Sequence, residues 1–274
     1  MSGMFRTLYC ALLLSLASSM TFAQIWKPVS GGTSPGYGND VRSFSSSPES
    51  ESTWWIATDG GGVYKTSDKG ANWVAKNTGI TNLRTVSMWV DTSGLPDSTN
   101  SAYKVIVATT GGGVFISKDN GANFSASNTG LACTYVRTIR VISKSTALPY
   151  GRLLAGTDCG KSSGVYYSDD VGATWKASSG FPTDNFTVFS TALISPTDST
   201  GAAVATPYLL AATSIGLYKS TDSGLTWAAL PSPSGPNGSV VYGVTWSYVA
   251  GATPAMRLLA TVEGGGVFRS ENDG

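Results

Sequence analysis

The segment Thr66-Ser-Asp-Lys-Gly-Ala-Asn-Trp73 decides the fold, because the chain carries four further copies of its pattern. Three complete copies occupy 117–124, 168–175 and 220–227, and a fifth begins at Ser270. The acidic position recurs at intervals of 51, 51, 52 and 50 residues, at Asp68, Asp119, Asp170, Asp222 and, as an asparagine, Asn272. A period of about fifty residues predicts a repeat architecture in which each repeat is one supersecondary unit.

Each repeat carries four strand-like runs, which we name A to D in chain order. In the first repeat they are 41–44, the two arms of 55–65 on either side of a glycine turn, and 72–75. Short runs of apolar and β-branched residues bounded by glycine are typical of strands. Four-stranded antiparallel sheets repeated radially predict an all-β protein, a β-propeller with five visible blades. The blades are expected at about 38–80, 81–131, 132–181, 182–232 and 233–274.

The repeated pattern has a structural task in the turn between strands C and D. The Asp side chain accepts hydrogen bonds from turn N–H groups, and the glycine takes the left-handed conformation. The aromatic residue then opens strand D and packs between sheets, as we expect for Trp73, Phe124, Trp175 and Trp227. Repetition in every blade argues for a structural rather than a catalytic role of Asp68, Asp119, Asp170 and Asp222.

These segments resemble the Asp-box, also called the bacterial neuraminidase repeat, Ser/Thr-x-Asp-x-Gly-x-Thr-Trp. The resemblance covers essentially 38–274. It implies a β-propeller, but sialidases, xyloglucan-cleaving endoglucanases, sortilin-type receptors and photosystem assembly factors share the repeat. The resemblance therefore implies a fold and leaves the function open.

The N-terminal residues have the pattern of a signal peptide, with Arg6, an apolar stretch and a small-residue cleavage site at Ala23. We expect 1–23 to be removed and 24–274 to be one secreted or periplasmic propeller domain without a membrane span. The segment 25–30 resembles a strand D and could complete the last blade. Two interpretations follow, a closed five-bladed ring or the front part of a longer protein, and the incomplete fifth repeat favours the second.

Composition excludes several kinds of chemistry. The chain has no histidine, which removes Ser-His-Asp triads and the commonest zinc ligands, and it predicts neither a metal nor a cofactor. A net charge of +1 argues against a nucleic-acid partner. Cys133 and Cys159 lie before strand A and after strand B of one repeat, so they could form a disulfide or stay as two thiols, and the first is favoured in an oxidising compartment.

One face of the propeller, which we call the top face, holds the ends of strands B and the starts of strands A. Strand B is followed at equivalent positions by Asp59, Thr110, Asp158, Ser214 and Glu263. Strand A begins with arginine in three successive blades and with an aromatic residue in the next two, at Arg42, Arg84, Arg137, Phe186 and Tyr242. Carboxylates and arginines around a shallow funnel suit a polar ligand such as a sugar. Alternatively, these charges only pair with one another along a wet channel.

Two functions compete. The first is a secreted non-catalytic binding or scaffold module, whose partner is a polysaccharide or an extracellular protein. The second rests on Thr58-Asp59-Gly60-Gly61, which resembles the Thr-Asp-x-Gly-Gly motif of xyloglucan-cleaving endoglucanases. This resemblance implies that Asp59 is one of two catalytic carboxylates, but the family's second carboxylate lies in a second propeller that this chain does not contain. A sialidase is less favoured, because the Arg-Ile-Pro motif is missing.

Overall fold

The computed structural model describes residues 40–91, 103–143, 145–195, 206–230, 238–248 and 256–271. These residues form nineteen β-strands and one short 3-10 turn, Gly160–Ser162. The expected signal peptide at 1–23 and the expected closing strand at 25–30 lie outside the described residues.

The strands form five antiparallel sheets, which confirms the all-β propeller prediction. We number the sheets as blades 1 to 5. Blade 1 contains β1 (Asp40–Ser46), β2 (Trp54–Asp59), β3 (Gly62–Thr66) and β4 (Val74–Ala75). Blade 2 contains β5 (Thr85–Asp91), β6 (Lys104–Thr109), β7 (Gly113–Ser117) and β8 (Ser125–Ala126). Blade 3 contains β9 (Val136–Ile142), β10 (Arg152–Thr157), β11 (Val165–Ser168) and β12 (Lys176–Ala177). Blade 4 contains β13 (Val188–Ile194), β14 (Tyr208–Thr213), β15 (Gly216–Ser220) and β16 (Ala228–Ala229). Blade 5 contains β17 (Val241–Tyr248), β18 (Met256–Val262) and β19 (Gly266–Ser270).

Strand A of each blade is the innermost strand. β1, β5, β9, β13 and β17 contact one another in this order, and the rest of each sheet extends outward from them. In blades 1 to 4 the outermost strand is strand D, which has only two residues and begins after the aromatic residue of the repeated turn and not at it. In blades 2 to 4 the aromatic residue still belongs to the turn, where its backbone N–H bonds to the previous blade.

The hydrophobic core consists of layers between neighbouring blades. One layer joins blades 1 and 2 through Trp55, Val105 and Phe115. Three further layers join blades 2 and 3, blades 3 and 4, and blades 4 and 5. Strands B are buried on both faces, and every residue of β6, β10 and β14 is buried. Each blade is therefore stabilised mainly by its neighbours, as in other repeat proteins.

A disulfide joins Cys133 and Cys159, whose Cα atoms are 5.8 Å apart. It connects the segment before β9 with the segment after β10, at the top face of blade 3. A buried ion pair joins the paired ends of β5 and β6, where Lys104 Nζ lies 2.8 Å from Asp91 Oδ2. Within the part of the chain that the structure describes, no helix has the length and apolar character needed to cross a membrane.

Candidate functional site

We call the repeated turns between strands C and D, at 66–73, 117–124, 168–175 and 220–227, the box turns, and their acidic side chains form local hydrogen bonds. Asp68 Oδ1 accepts from the Thr66 hydroxyl at 2.7 Å and from the Asn72 backbone N–H at 2.9 Å, and Asp68 Oδ2 accepts from the Asn72 amide at 2.7 Å. These bonds, the Thr66 hydroxyl first, lower the pKa of Asp68 to about 2. The other three boxes repeat the arrangement with Asp119, Asp170 and Asp222. These carboxylates are engaged in holding turns.

Each box turn contains two successive residues in the left-handed region. The glycines have φ between 77° and 90°, and the residues before them, Lys69, Asn120, Val171 and Ser223, have φ between 58° and 62°. A β-branched residue is unfavourable in this region, so Val171 is the strained member of the set.

The box aromatic residues connect neighbouring blades. The backbone N–H of Phe124, Trp175 and Trp227 donates to the carbonyl of Thr78, Thr129 and Ser179 of the previous blade. These three rings are buried, whereas Trp73 of blade 1 is only partly buried. Trp73 therefore departs from the expectation for the set, because no described blade precedes blade 1 to cover it.

An Asn-Thr-Gly segment after strand D was missed in the sequence analysis. The Asn77 side chain accepts from the Val63 N–H at 2.7 Å and donates to the Gly61 carbonyl at 2.9 Å, so it holds the turn between β2 and β3. Asn128 does the same in blade 2. The recurrence of Asn-Thr-Gly at 77–79 and 128–130 was the available signal.

A pocket of about 300 Å³ opens at the top face, where the innermost strands begin. Each of these strands has a β-bulge near its start, and the bulged residues are Arg42, Val86, Arg137, Phe189 and Tyr242. All five line the pocket, together with Asp59, Arg84 and Thr110. A β-bulge leaves one residue unpaired and redirects its side chain. The pocket is thus built from one equivalent position in five blades.

This register corrects two expectations about strand A. Arg84 is not equivalent to Arg42 and Arg137, because the bulged residue of blade 2 is Val86. The carbonyl of Arg84 accepts from the Thr110 N–H, as that of Tyr135 accepts from Asp158, so Arg84 corresponds to Tyr135. Phe186 is also misplaced in the expected set. It is buried and stacks on Phe181 with ring centres 5.3 Å apart, while Phe189 lines the pocket.

Asp59 lies between two arginines of adjacent blades. Its Oδ1 accepts from Arg84 Nε at 3.0 Å, and its Oδ2 accepts from Arg42 Nη2 at 3.3 Å. The Arg84 hydrogen bond and the two positive charges outweigh the small effect of burial and lower the pKa of Asp59. Asp59 is therefore an ionised acceptor and an unsuitable proton donor near neutral pH.

The remaining top-face residues form two separate pairs. Asp158 Oδ2 accepts from Arg137 at 2.6 and 2.9 Å, and its Oδ1 accepts from the Thr187 hydroxyl at 2.8 Å. The Tyr242 hydroxyl donates to Glu263 at 3.0 Å, and the Tyr242 ring packs against Phe189 with centres 5.1 Å apart. The pocket thus combines guanidinium groups from blades 1 to 3, each paired with a carboxylate, with an aromatic pair from blades 4 and 5. No group of three or more His, Cys, Asp or Glu suited to hold a metal occurs among the described residues.

The comparisons with known proteins support the fold. A xyloglucanase of glycoside hydrolase family 74 from Xanthomonas campestris matches 85% of this chain and 36% of its own, with a TM-score of 0.57 and 17% identity. The extracellular domain of the one-component system BT4673 from B. thetaiotaomicron matches 86% and 28%, with a TM-score of 0.55 and 15% identity. A YCF48 structure bound to D1 peptide matches 86% and 64%, with a TM-score of 0.52 and 16% identity.

These similarities are to propeller proteins of several activities. The chain spans about a third of the length of the family 74 structure, and at such identities the likeness is one of fold. No family model and no curated protein sequence matches the chain.

Proposed function

We propose that this protein is a secreted, non-catalytic propeller that binds a polysaccharide through its top-face pocket. The observation that carries the proposal is the state of Asp59, whose two oxygens are both engaged by arginines. A carboxylate held in this way is a good hydrogen-bond acceptor for a ligand hydroxyl and a poor acid catalyst, and the two guanidinium groups that lower its pKa also make it a weaker base.

The aromatic pair that lines the pocket supports a sugar as the ligand. The Phe189–Tyr242 pair gives a partly exposed aromatic surface next to fixed polar groups, and such a combination suits a ring with one apolar face and many hydroxyls. The signal-like segment 1–23 and the disulfide support secretion into an oxidising compartment. A structural neighbour is a xyloglucanase, so xyloglucan is the first polysaccharide to test.

The proposal is tested by affinity electrophoresis in gels that contain xyloglucan. We expect the wild type to be retarded and Asp59→Asn to bind more weakly by about 1.5–3 kcal/mol, the value of one charged hydrogen bond. Glu51→Gln is the matched control, because Glu51 is an exposed carboxylate in the turn between β1 and β2, at the opposite end of the blade. Equal retardation of the wild type and Asp59→Asn would contradict a ligand at this pocket.

The alternative is a glycoside hydrolase in which Asp59 takes part in catalysis, and it rests on the 58–61 motif. It is separated from binding by measuring reducing sugar released from xyloglucan. We expect none from the wild type. Release by the wild type that Asp59→Asn abolishes would replace the binding module by the hydrolase.

A further inference from the structure

A second cavity, of about 500 Å³, lies along the innermost strands beyond the top-face pocket. We call it the channel cavity. It is lined by consecutive residues of four blades, including Ser43 of β1, Ser87 and Trp89 of β5, Arg140 of β9 and Thr191 of β13. Its wall is rich in hydroxyl groups, and no Asp or Glu belongs to the described residues that line it.

Arg140 is a partly buried cation without a countercharge in this cavity. Its Nε and Nη2 donate to the Thr191 carbonyl at 3.0 and 2.8 Å, and its guanidinium lies 5.3 Å from the ring centre of Trp89. Across the described ranges of the chain no carboxylate pairs with it, and its Nη1 donates to none of their groups. Burial lowers the pKa of Arg140, yet a guanidinium remains charged at neutral pH. A desolvated charge is unfavourable unless an opposite charge accompanies it.

A hydroxyl proton of Ser87 lies along the same space. The Ser87 oxygen accepts from the Ile139 N–H at 3.1 Å, which leaves its proton free to be donated. The Ser87 proton and the Arg140 Nη1 protons are therefore unused donors that an acceptor in the cavity would engage.

We propose that the channel cavity binds an oxyanion, a carboxylate or sulfate group, through Arg140 with help from the hydroxyl of Ser87. The ligand supplies the missing negative charge and accepts from the unused donors. Charge-assisted hydrogen bonds of this kind are the strong ones. This site is separate from the polysaccharide pocket and does not depend on it. The anion could be free in solution or part of an acidic sugar, and both offer the same chemistry.

The test uses the whole secreted protein with sodium glucuronate, glucose and sodium sulfate at constant ionic strength. Titration calorimetry measures affinity, and thermal unfolding measures stabilisation of the folded state. We expect glucuronate, sulfate or both to bind, and glucose to bind this site not at all. Binding of sulfate as tight as that of glucuronate shows that the oxyanion alone is recognised, and preference for glucuronate shows that the acidic sugar is the ligand. Equal stabilisation of the wild type by glucose and glucuronate that Arg140→Met leaves unchanged would overturn the proposal.

Arg140→Met removes the charge and keeps most of the length of the side chain. We expect it to weaken anion binding about tenfold or more. Lys176→Met is the matched control, because Lys176 is an exposed cation on the outermost strand of blade 3, and it should bind as the wild type does. Unchanged affinity in Arg140→Met, or an equal loss in Lys176→Met, would refute the site. Should Arg140→Met not fold, Arg140→Gln decides, because it removes the charge and keeps an amide donor for the Thr191 carbonyl. We expect it to weaken anion binding about tenfold as well, and wild-type affinity in that variant refutes the site.

Discussion

At the scale of single residues, the four box turns share one backbone shape and differ in how well their residues suit it. The position before the glycine has φ near 60° in all four, with Lys, Asn, Val and Ser as occupants. Asparagine tolerates this region, and β-branched residues do not. Val171 in blade 3 is therefore a strained position, and the equivalent Asn120 in blade 2 shows which residue would relieve the strain.

The first prediction concerns that position. We expect Val171→Asn to raise the free energy of unfolding by about 1 kcal/mol, because it removes the β-branch at positive φ. Denaturant unfolding measures the change. Lys69→Asn, at the same position in blade 1, is the control and should change stability less. A Val171→Asn variant less stable than the wild type would show that the valine packs better than its backbone suggests.

A second prediction concerns the Asp68 carboxylate. Its pKa of about 2 in the folded protein lies below the ordinary value of 3.8, so its contribution to stability is present above the unfolded value and is lost as pH falls toward 2. We expect wild-type stability to drop over this range and Asp68→Asn to drop less steeply. Acid titration followed by tryptophan fluorescence measures both slopes. Parallel curves would mean that the turn does not depend on the charge.

At the scale of the element, the box aromatic residue is the part of blades 2, 3 and 4 that enters the preceding blade. The Trp175 indole N–H donates to the Ser127 carbonyl at 2.8 Å, and its ring belongs to the core layer between blades 2 and 3. The box segment of blade 3 thus has two roles: it forms the turn between strands C and D, and its aromatic residue joins the blade to the preceding one.

The third prediction tests this joint. We expect Trp175→Ala to lower the free energy of unfolding by about 3–5 kcal/mol, as is usual when a large buried side chain is removed. Trp73→Ala is the matched control in blade 1 and should cost clearly less, since Trp73 is only partly buried. Thermal and denaturant unfolding of both variants gives the comparison. Equal costs would show that the joint contributes little beyond the local turn.

The sequence predicts the features that depend on residues close together in the chain, and it does not predict those that depend on how strands pair. The box turn depends on bonds within eight residues, so Thr66, Asp68 and Gly70 were enough to predict it. The register of strand A depends on a bulge, which the alternation of side chains does not reveal. Alignment by identity matched Leu83-Arg84-Thr85 with Val136-Arg137-Thr138 and placed Arg84 two positions away from its structural equivalent.

The same limit explains which site residues were found. Asp59 was expected at the top face from its place after strand B, and the structure brings it to Arg42 and Arg84. Arg140 could not be singled out, because its lack of a carboxylate partner depends on four strands that are distant in sequence. The position of a residue such as Asp59 after a strand can be predicted from the spacing of the repeats. The lack of a carboxylate near Arg140 depends on how the innermost strands of four blades come together.

At the scale of the whole molecule, the blades are joined by close backbone contacts as well as by side chains. Gly130 has φ of 84°, and a Cβ placed on it would lie 2.2 Å from the Trp175 carbonyl oxygen of the next blade. Gly79 and Gly180 meet the next blade in the same way. Blades 1 to 4 are therefore held in a row by one joint that occurs three times.

The fourth prediction separates the two demands made on such a glycine. Gly130→Ala suffers from its positive φ and from the clash with blade 3, so we expect it to lose more stability than Gly238→Ala. Gly238 has a similar φ of 77° and open space where the Cβ would lie, so it should lose only about 1 kcal/mol. Chemical unfolding at one temperature measures both. Equal losses would show that the blades move apart easily at this joint.

Repeats 2 and 3 carry both halves of that joint: an aromatic residue that enters the preceding blade, and an Asn-Thr-Gly or Ser-Ser-Gly segment that receives the aromatic residue of the next blade. Repeats of this kind can follow one another. Duplication of the gene segment that encodes such a repeat would add one blade. Its aromatic residue would fit the blade before it, and its Asn-Thr-Gly or Ser-Ser-Gly segment would fit the blade after it. The repeat of about fifty residues is then both the segment that a duplication would copy and the blade that packs as one unit. The number of blades can then change by one at a time. Each added innermost strand also brings one bulged residue to the ligand pocket, and the identity of that residue can change by mutation.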